Sequence, residues 1–386
     1  MYKEKLVFYA ACFGILLFGI VLITVGSILP SLTLKFGLDE ISTGSLVSFL
    51  PIGILIGSLV FGPIVDHYGY KTLLIVCSLL VMVGLEGIAF AKEVFVLQAS
   101  IFLIGLGGGV INGGTNALVA DISEEDKGAK LSLLGVFFSI GALGMPVVIS
   151  LFSQYFDAGQ IIFGVGLFVL VPIFFILTIS FHAPKHPQGF PFKKSISLLK
   201  DINIVMMGFF LFFASGAEGI INNWTTTFLE SDLKIDPKNA LFGLSCFVVA
   251  MMLTRLVLGS LLKRRKPHAI LMISLAIAFF GSAVMLNASN FYWAVTGLSL
   301  IGIGLGAGFP FILGDVGELF SSISGTAFSI VLTIALIGNT IINYSTGVIA
   351  HLYGIRQLFS ILMLSVVFMF LLLWFIDKRM NKPSFQ

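Results

Sequence analysis

The sequence predicts an all-α membrane protein of twelve transmembrane helices, arranged as two six-helix bundles related by a parallel repeat. Three observations carry this prediction. The chain is 58% hydrophobic and 11% charged over 386 residues, and its mean hydropathy is +1.07. It divides into apolar runs long enough to span a bilayer. Matching residues recur at one fixed offset between its halves. A soluble domain is about one-quarter charged, so a water-soluble enzyme or a disordered chain is excluded.

A spanning helix needs about 20 apolar residues. Run length and Gly, Pro or charged punctuation place spans near 6–33, 42–65, 72–90, 95–120, 131–155 and 161–181, then 202–230, 240–262, 268–286, 291–314, 325–352 and 357–376. These runs are too long and too little alternating for barrel strands. The first run continues to Leu34 with no cleavage pattern and is read as a retained helix. The stretch from His182 to Asp201 holds Pro184, Pro187, Pro191 and four lysines and is read as a linker, with a short surface helix around Phe192 to Leu199. The expected organisation is an N-terminal bundle over 1–181, a linker over 182–201, a C-terminal bundle over 202–376 and a tail over 377–386.

Lysine and arginine set the orientation. With the N-terminus inside, sixteen fall on inner loops and five on outer ones (Lys35, Lys92, Lys234, Lys238 and Arg356), leaving Arg255 within the eighth span. Both termini are therefore expected to be cytoplasmic, in a plasma membrane or bacterial-type inner membrane. The Lys263-Arg264-Arg265-Lys266 run reads as an anchor facing anionic lipid, and no nucleic-acid partner is expected. Cys12, Cys77 and Cys246 lie singly in apolar runs and read as packing residues, with no metal site.

The repeat has an offset of 197 residues. Leu103-Ile104-Gly105-Leu106-Gly107-Gly108-Gly109 falls on Leu300-Ile301-Gly302-Ile303-Gly304-Leu305-Gly306, and Leu59-Val60-Phe61-Gly62 falls on Leu256-Val257-Leu258-Gly259. Ser132 and Gly141 fall on Ser329 and Gly338, and Gly19 on Gly216. Six crossings return each half to the same side, so the repeats are parallel, an arrangement in which substrate lies between the halves near the midplane.

Between the second and third spans stands Gly62-Pro63-Ile64-Val65-Asp66-His67-Tyr68-Gly69-Tyr70-Lys71. This resembles the cytoplasmic signature of the major facilitator superfamily, with His67 and Tyr70 at positions usually held by Arg or Lys. The resemblance implies the major facilitator fold and a conformational gate built on Gly62, Asp66, Gly69 and Lys71. Asp66 is expected to meet the eleventh span near Ser324 to Thr326. Three further stretches resemble the fucose permease and related sugar:cation symporters: Asn112 to Asp121, Gly216 to Trp224, and Ser324 to Phe328. The likeness implies a secondary transporter that imports a hexose or deoxyhexose by cation symport and alternating access. It fails where that group carries carboxylates in its first and fourth helices, because Gly26 and Asn112 stand there. Proton coupling is therefore not transferred from the family, and H+ symport, Na+ symport and uncoupled facilitation stay open.

Glu218 is the only acid near the middle of a span, and Asn222, Thr225 and Thr226 follow at helical spacing. A charge inside a bilayer needs a partner or a use. Glu218 reads as a substrate hydrogen-bonding group, a cation site for H+ or Na+, or both. The competing reading is a neutral acid fixing its helix to a neighbour. Asn112 and Asn116 repeat the i, i+4 spacing, as do Asn339 and Asn343. Amides suit sugar hydroxyls, and they equally join helices. Trp224 offers a flat face for a sugar ring, or packs in the core. Glu86 is expected to reach water, and Arg255 to pair with Asp315 or Glu318. Pro30, Pro51, Pro146 and Pro310 are expected to bend their helices.

The runner-up reading is a cation-coupled exporter of drugs or amphipathic metabolites, which the 39 phenylalanines favour. A transport-dead nutrient sensor or membrane scaffold is a third. No nucleophile–base or metal-ligand set suggests an enzyme. A monomer in a lipid bilayer, with no cofactor beyond the coupling ion, is expected.

Overall fold

The computed structural model describes residues 4–38, 40–123, 126–182, 198, 200–261 and 267–380. The expected surface helix at Phe192 to Leu199 and the Lys263 to Lys266 run lie outside the described residues, apart from Leu198. Among the described residues the regular structure is helical throughout. In chain order the α-helices are α1 Glu4–Phe36, α2 Glu40–Tyr68, α3 Tyr70–Phe90, α4 Val94–Ile122, α5 Lys127–Phe152, α6 Ala158–Phe168 and α7 Leu170–Thr178. They continue as α8 Ile202–Ser231, α9 Pro237–Leu261, α10 Pro267–Leu286, α11 Phe291–Leu305, α12 Gly308–Leu319, α13 Ser324–Tyr353 and α14 Leu358–Met380.

By length and composition, 11 stretches of the described residues can cross a membrane, and α2 adds the shorter apolar stretch Ser48–Gly62. Two expected spans are each built from two helices. The sixth breaks between α6 and α7, and the tenth between α11 and α12. Proline explains both breaks. Pro172 and Pro310 have no N–H to give the carbonyls four residues earlier, at Phe168 and Gly306, and the helix interrupts there. Pro146, by contrast, lies inside a continuous α5. The last helix runs to Met380, past the expected tail boundary at 377.

Helix starts are fixed by short polar side chains. Asp157 and Gln160 make a reciprocal capping box at α6, Asp201 accepts from the Asn203 N–H at 2.8 Å, and Asn290 accepts from the Trp293 N–H at 3.1 Å. Each satisfies an N–H that the first turn leaves without a partner.

The chain forms two compact units: Met1–Glu124 with Phe137–Ser195 and Phe320–Ser329, and Glu125–Val136 with Ile196–Leu319 and Ile330–Gln386. Each unit thus includes the first turns of one helix from the other half of the sequence.

Within the first unit, a Cβ on Gly105 would collide with the Leu50 carbonyl and lie 3.2 Å from the Ile54 nitrogen. Within the second, a Cβ on Gly302 would collide with the Phe247 carbonyl and lie 3.2 Å from the Met251 nitrogen. All three residues of the second set are 197 positions beyond those of the first. The same holds for Gly84 against Ser100 and Ile104, and Gly281 against Gly297 and Ile301. The repeat read from sequence is therefore also a repeat of helix–helix contacts, made by backbones close enough to exclude a side chain.

At one end of the second unit, Arg356 ties three elements together. Its guanidinium donates to Asp232 and to the Leu286 and Ala288 carbonyls at 3.2 and 3.1 Å. The carbonyls are those left unpaired where α10 ends. Arg356→Ala is expected to lower stability by about 1 kcal/mol, chiefly through these carbonyl bonds, since a part-exposed ion pair adds little. Thermal unfolding in detergent measures it.

Candidate functional site

The glycine-rich turn between α2 and α3 shows why its residues are spaced as they are. Gly69 has φ +80°, a conformation that favours glycine. Lys71, two residues on, donates from Nζ to the Leu177 and Ile179 carbonyls at 3.0 and 2.8 Å, capping the end of α7. Tyr70 Oη donates to Asp121 Oδ2 at 2.5 Å. A Cβ on Gly62 would lie 2.7 Å from the Gly325 carbonyl oxygen and 2.7 Å from the Thr326 Cα, so the helices meet there without side chains. The Asp66 side chain lies outside the described residues.

One hydrogen bond is made twice at the repeat offset. Ser329 Oγ donates to the Ser58 carbonyl at 2.5 Å in the first unit, and Ser132 Oγ to the Arg255 carbonyl at 2.5 Å in the second. Adding 197 to Ser132 and Ser58 returns Ser329 and Arg255. Ser132→Ala and Ser329→Ala should each cost about 1 kcal/mol and by similar amounts. Unequal falls in thermal stability would show that the two bonds are not equivalent.

Arg255 stands where its repeat partner Ser58 has no charge. Its Nη2 donates to Glu218 Oε1 at 3.5 Å, and its Nη1 to the Gly135 carbonyl at 3.4 Å. The Arg255 side chain is 6% exposed and that of Glu218 19%. Arg255 Nε is buried with no acceptor among the described residues. A Cβ on Gly135 would lie 2.8 Å from Arg255 Cδ, so glycine is what lets the long side chain cross α5. The expected pairing of Arg255 with Asp315 or Glu318 is thus replaced by pairing with Glu218. Matching by depth along the span points to Asp315 and Glu318, although a buried cation and a mid-span acid have strong physical reason to meet.

The other expected residues separate by their partners. Asn222, one turn beyond Glu218, is exposed and makes no protein hydrogen bond among the described residues. Thr225 is instead fully buried, its hydroxyl without a partner among the described residues. Asn339 Nδ2 donates to the Ser215 carbonyl at 3.0 Å, Asn343 Nδ2 to Asn339 Oδ1 at 3.0 Å, and Asn223 Nδ2 to Asn343 Oδ1 at 3.1 Å. These amides form a ladder joining α8 to α13. Gly219 makes room for it, since a Cβ there would lie 2.8 Å from Asn339 Oδ1. Ser215 and Asn223 were not singled out in the sequence. Trp224 is half-buried with its ring against Gly347.

In the first unit, Asn116 Nδ2 donates to the Asn112 carbonyl at 2.8 Å and to Asn112 Oδ1 at 3.2 Å, so the two amides act as one group on α4. Asn116 is buried and Asn112 partly so. Glu86 does not open to water as expected. Both of its carboxylate oxygens are buried without a partner among the described residues, beside Gly166 of α6.

The profile of the Major Facilitator Superfamily matches residues 11–334. The chain belongs to that superfamily. Among its superfamily relatives, the chain is similar to the glucose/mannose transporter GlcP of Bacillus subtilis, 25% identical over 342 residues that cover 85% of this chain and 84% of the other. It is also similar to the uncharacterized transporter y4wD of Sinorhizobium fredii, 23% identical and covering 90% of this chain and 92% of that one. Of solved superfamily structures, the fucose:proton symporter FucP of E. coli aligns with a TM-score of 0.81 at 18% identity, over 96% of this chain and 98% of that one. The proton:xylose symporter XylE aligns with a TM-score of 0.80 at 14% identity, over 97% and 95%. The protein is a multi-pass membrane transporter with the major facilitator fold, and its relatives are transporters, not enzymes.

Proposed function

We propose that this transporter imports a monosaccharide by cation symport, with Glu218 as the cation site. The observation that carries the reading is the Glu218–Arg255 pair: a carboxylate inside the helical core, held at 3.5 Å from a buried guanidinium and still 19% exposed. A cation arriving at Glu218 competes with Arg255 for the same carboxylate, and that competition changes which helices are tied together. The substrate class is supported by the named sugar relatives, GlcP and a D-xylose transporter of Levilactobacillus brevis that is 24% identical over 183 residues, 47% of this chain and 39% of the other.

In this reading Asn112, Asn116 and Asn222 offer amides to sugar hydroxyls. Asn339, Asn343 and Trp224 shape the α8–α13 seam. Gly62, Asp66, Gly69 and Lys71 form the gate. The charge bias of the loops supports cytoplasmic termini in a plasma or bacterial-type inner membrane, and the working form is a monomer carrying H+ or Na+ with its sugar.

Glu218→Gln tests the cation role. Proteoliposomes carrying it should exchange labelled sugar across the membrane as the wild type does, yet fail to accumulate it under a proton or sodium gradient. Accumulation equal to wild type would place the cation elsewhere.

A further inference from the structure

Resting on the monosaccharide reading above, we propose that the Glu218–Arg255 pair binds the carboxylate of an acidic monosaccharide, a sugar acid admitted together with the coupling proton. Three arguments converge on this. Arg255 is 5% exposed, yet its five N–H donors meet only two acceptors among the described residues, at 3.4 and 3.5 Å, and its Nε meets none. Charge-assisted bonds to a guanidinium are ordinarily shorter, about 2.7–2.9 Å. The guanidinium is therefore fixed in place but under-supplied with acceptors. It is also the type of group that holds a carboxylate best, because its planar fork matches two oxygens.

Charge balance supplies the second argument. Glu218 and Arg255 together carry no net charge. A proton alone on Glu218 leaves a buried positive site, and a carboxylate alone on Arg255 leaves a negative one. Both states are costly in low dielectric. Proton and carboxylate together restore neutrality, so each ligand favours the other's binding. The step balances. A proton adds to a Glu218 carboxylate oxygen and forms an O–H bond. The Arg255 Nη2 contact to Oε1 is given up, and the substrate carboxylate accepts that N–H. Gly135 keeps the arginine stem in place throughout, and Ser132 keeps its backbone in place.

The third observation is the flank of the pair. Glu218 keeps 19% of its side chain exposed, and the exposed Asn222 lies one helical turn away with its amide unbonded among the described residues. A carboxylate that reaches Arg255 from this side leaves sugar hydroxyls beside Asn222.

The test uses the full chain in proteoliposomes, with labelled glucuronate, galacturonate and gluconate set against labelled glucose, mannose and xylose. Under an inward proton gradient the acids should accumulate, with a rate unchanged when a membrane potential is imposed with valinomycin and potassium, since each cycle moves no net charge. Glu218→Gln should bind the acids with an affinity that no longer varies with pH and should lose accumulation. Arg255→Gln should lose acid uptake. If that variant does not fold, Arg255→Lys, with its charge kept and its fork removed, and the wild-type potential measurement decide the matter. Acid accumulation under a sodium gradient alone would support the site with sodium as its cation. Accumulation of neutral sugars with no transport of or competition by the acids would overturn this inference and leave the monosaccharide reading standing. Transport of neither kind would overturn both. Wild-type acid uptake in both arginine variants would also overturn it.

Discussion

Arg255→Ala is expected to destabilise the protein by about 3–5 kcal/mol, because it leaves Glu218 as an unpaired carboxylate in the helical core. The loss has a diagnostic shape. Arg255→Ala/Glu218→Ala removes both charges and should recover most of the lost stability, since what is costly is the stranded charge and not the missing contact. Unfolding of the purified protein in detergent, followed by temperature or denaturant, measures the wild type and both variants. Equal loss in the single and double variants would mean that Arg255 stabilises by packing over Gly135, and the pair would lose its standing as a charge-balanced site.

Gly105→Val and Gly302→Val should give the second large effect, and an equal one. At each position a Cβ alone already collides with a backbone carbonyl, Leu50 in one unit and Phe247 in the other. Backbone cannot rotate aside as a flexible side chain does, so α2 must separate from α4 and α9 from α11. Overpacking costs about 1–3 kcal/mol in ordinary cores, and a backbone collision belongs at or above the top of that range. Thermal stability of the two variants should fall together. A large loss at Gly105 with none at Gly302 would show that the repeat in sequence is not a repeat in packing.

The repeat in packing is legible in the sequence. Glycines carry a visible trace of close helix approach, so the offset of 197 anticipates not only the matching residues but also their partners. Leu50 and Ile54 reappear as Phe247 and Met251, although no residue identity is shared. The spans were legible for the same reason that hydropathy works in lipid, where backbone must be satisfied within each helix. The breaks were less so. Pro172 and Pro310 interrupt their spans while Pro146 does not, and which outcome a proline gives depends on what surrounds the freed carbonyl.

The site was legible as a set of residue types and not as a set of contacts. Helical spacing gives the face a residue occupies and says nothing of the helix opposite. Asn339 and Asn343 therefore looked like Asn112 and Asn116, yet the first pair is bonded across to α8 and the second to itself along α4. Depth along the span pairs Arg255 with Asp315 or Glu318, whereas it stands beside Glu218, 37 residues away in sequence. Its charge and the mid-span position of Glu218 are the signal that pairs them.

Gradient-driven uptake by the wild-type protein tests the central claim most directly. Proteoliposomes should accumulate at least one labelled monosaccharide, neutral or acidic, above its external concentration when a proton or sodium gradient is imposed, and lose it when an ionophore collapses that gradient. Failure to move any monosaccharide under any gradient, with the protein folded in the membrane, would contradict the account and turn attention to an exporter of amphipathic molecules.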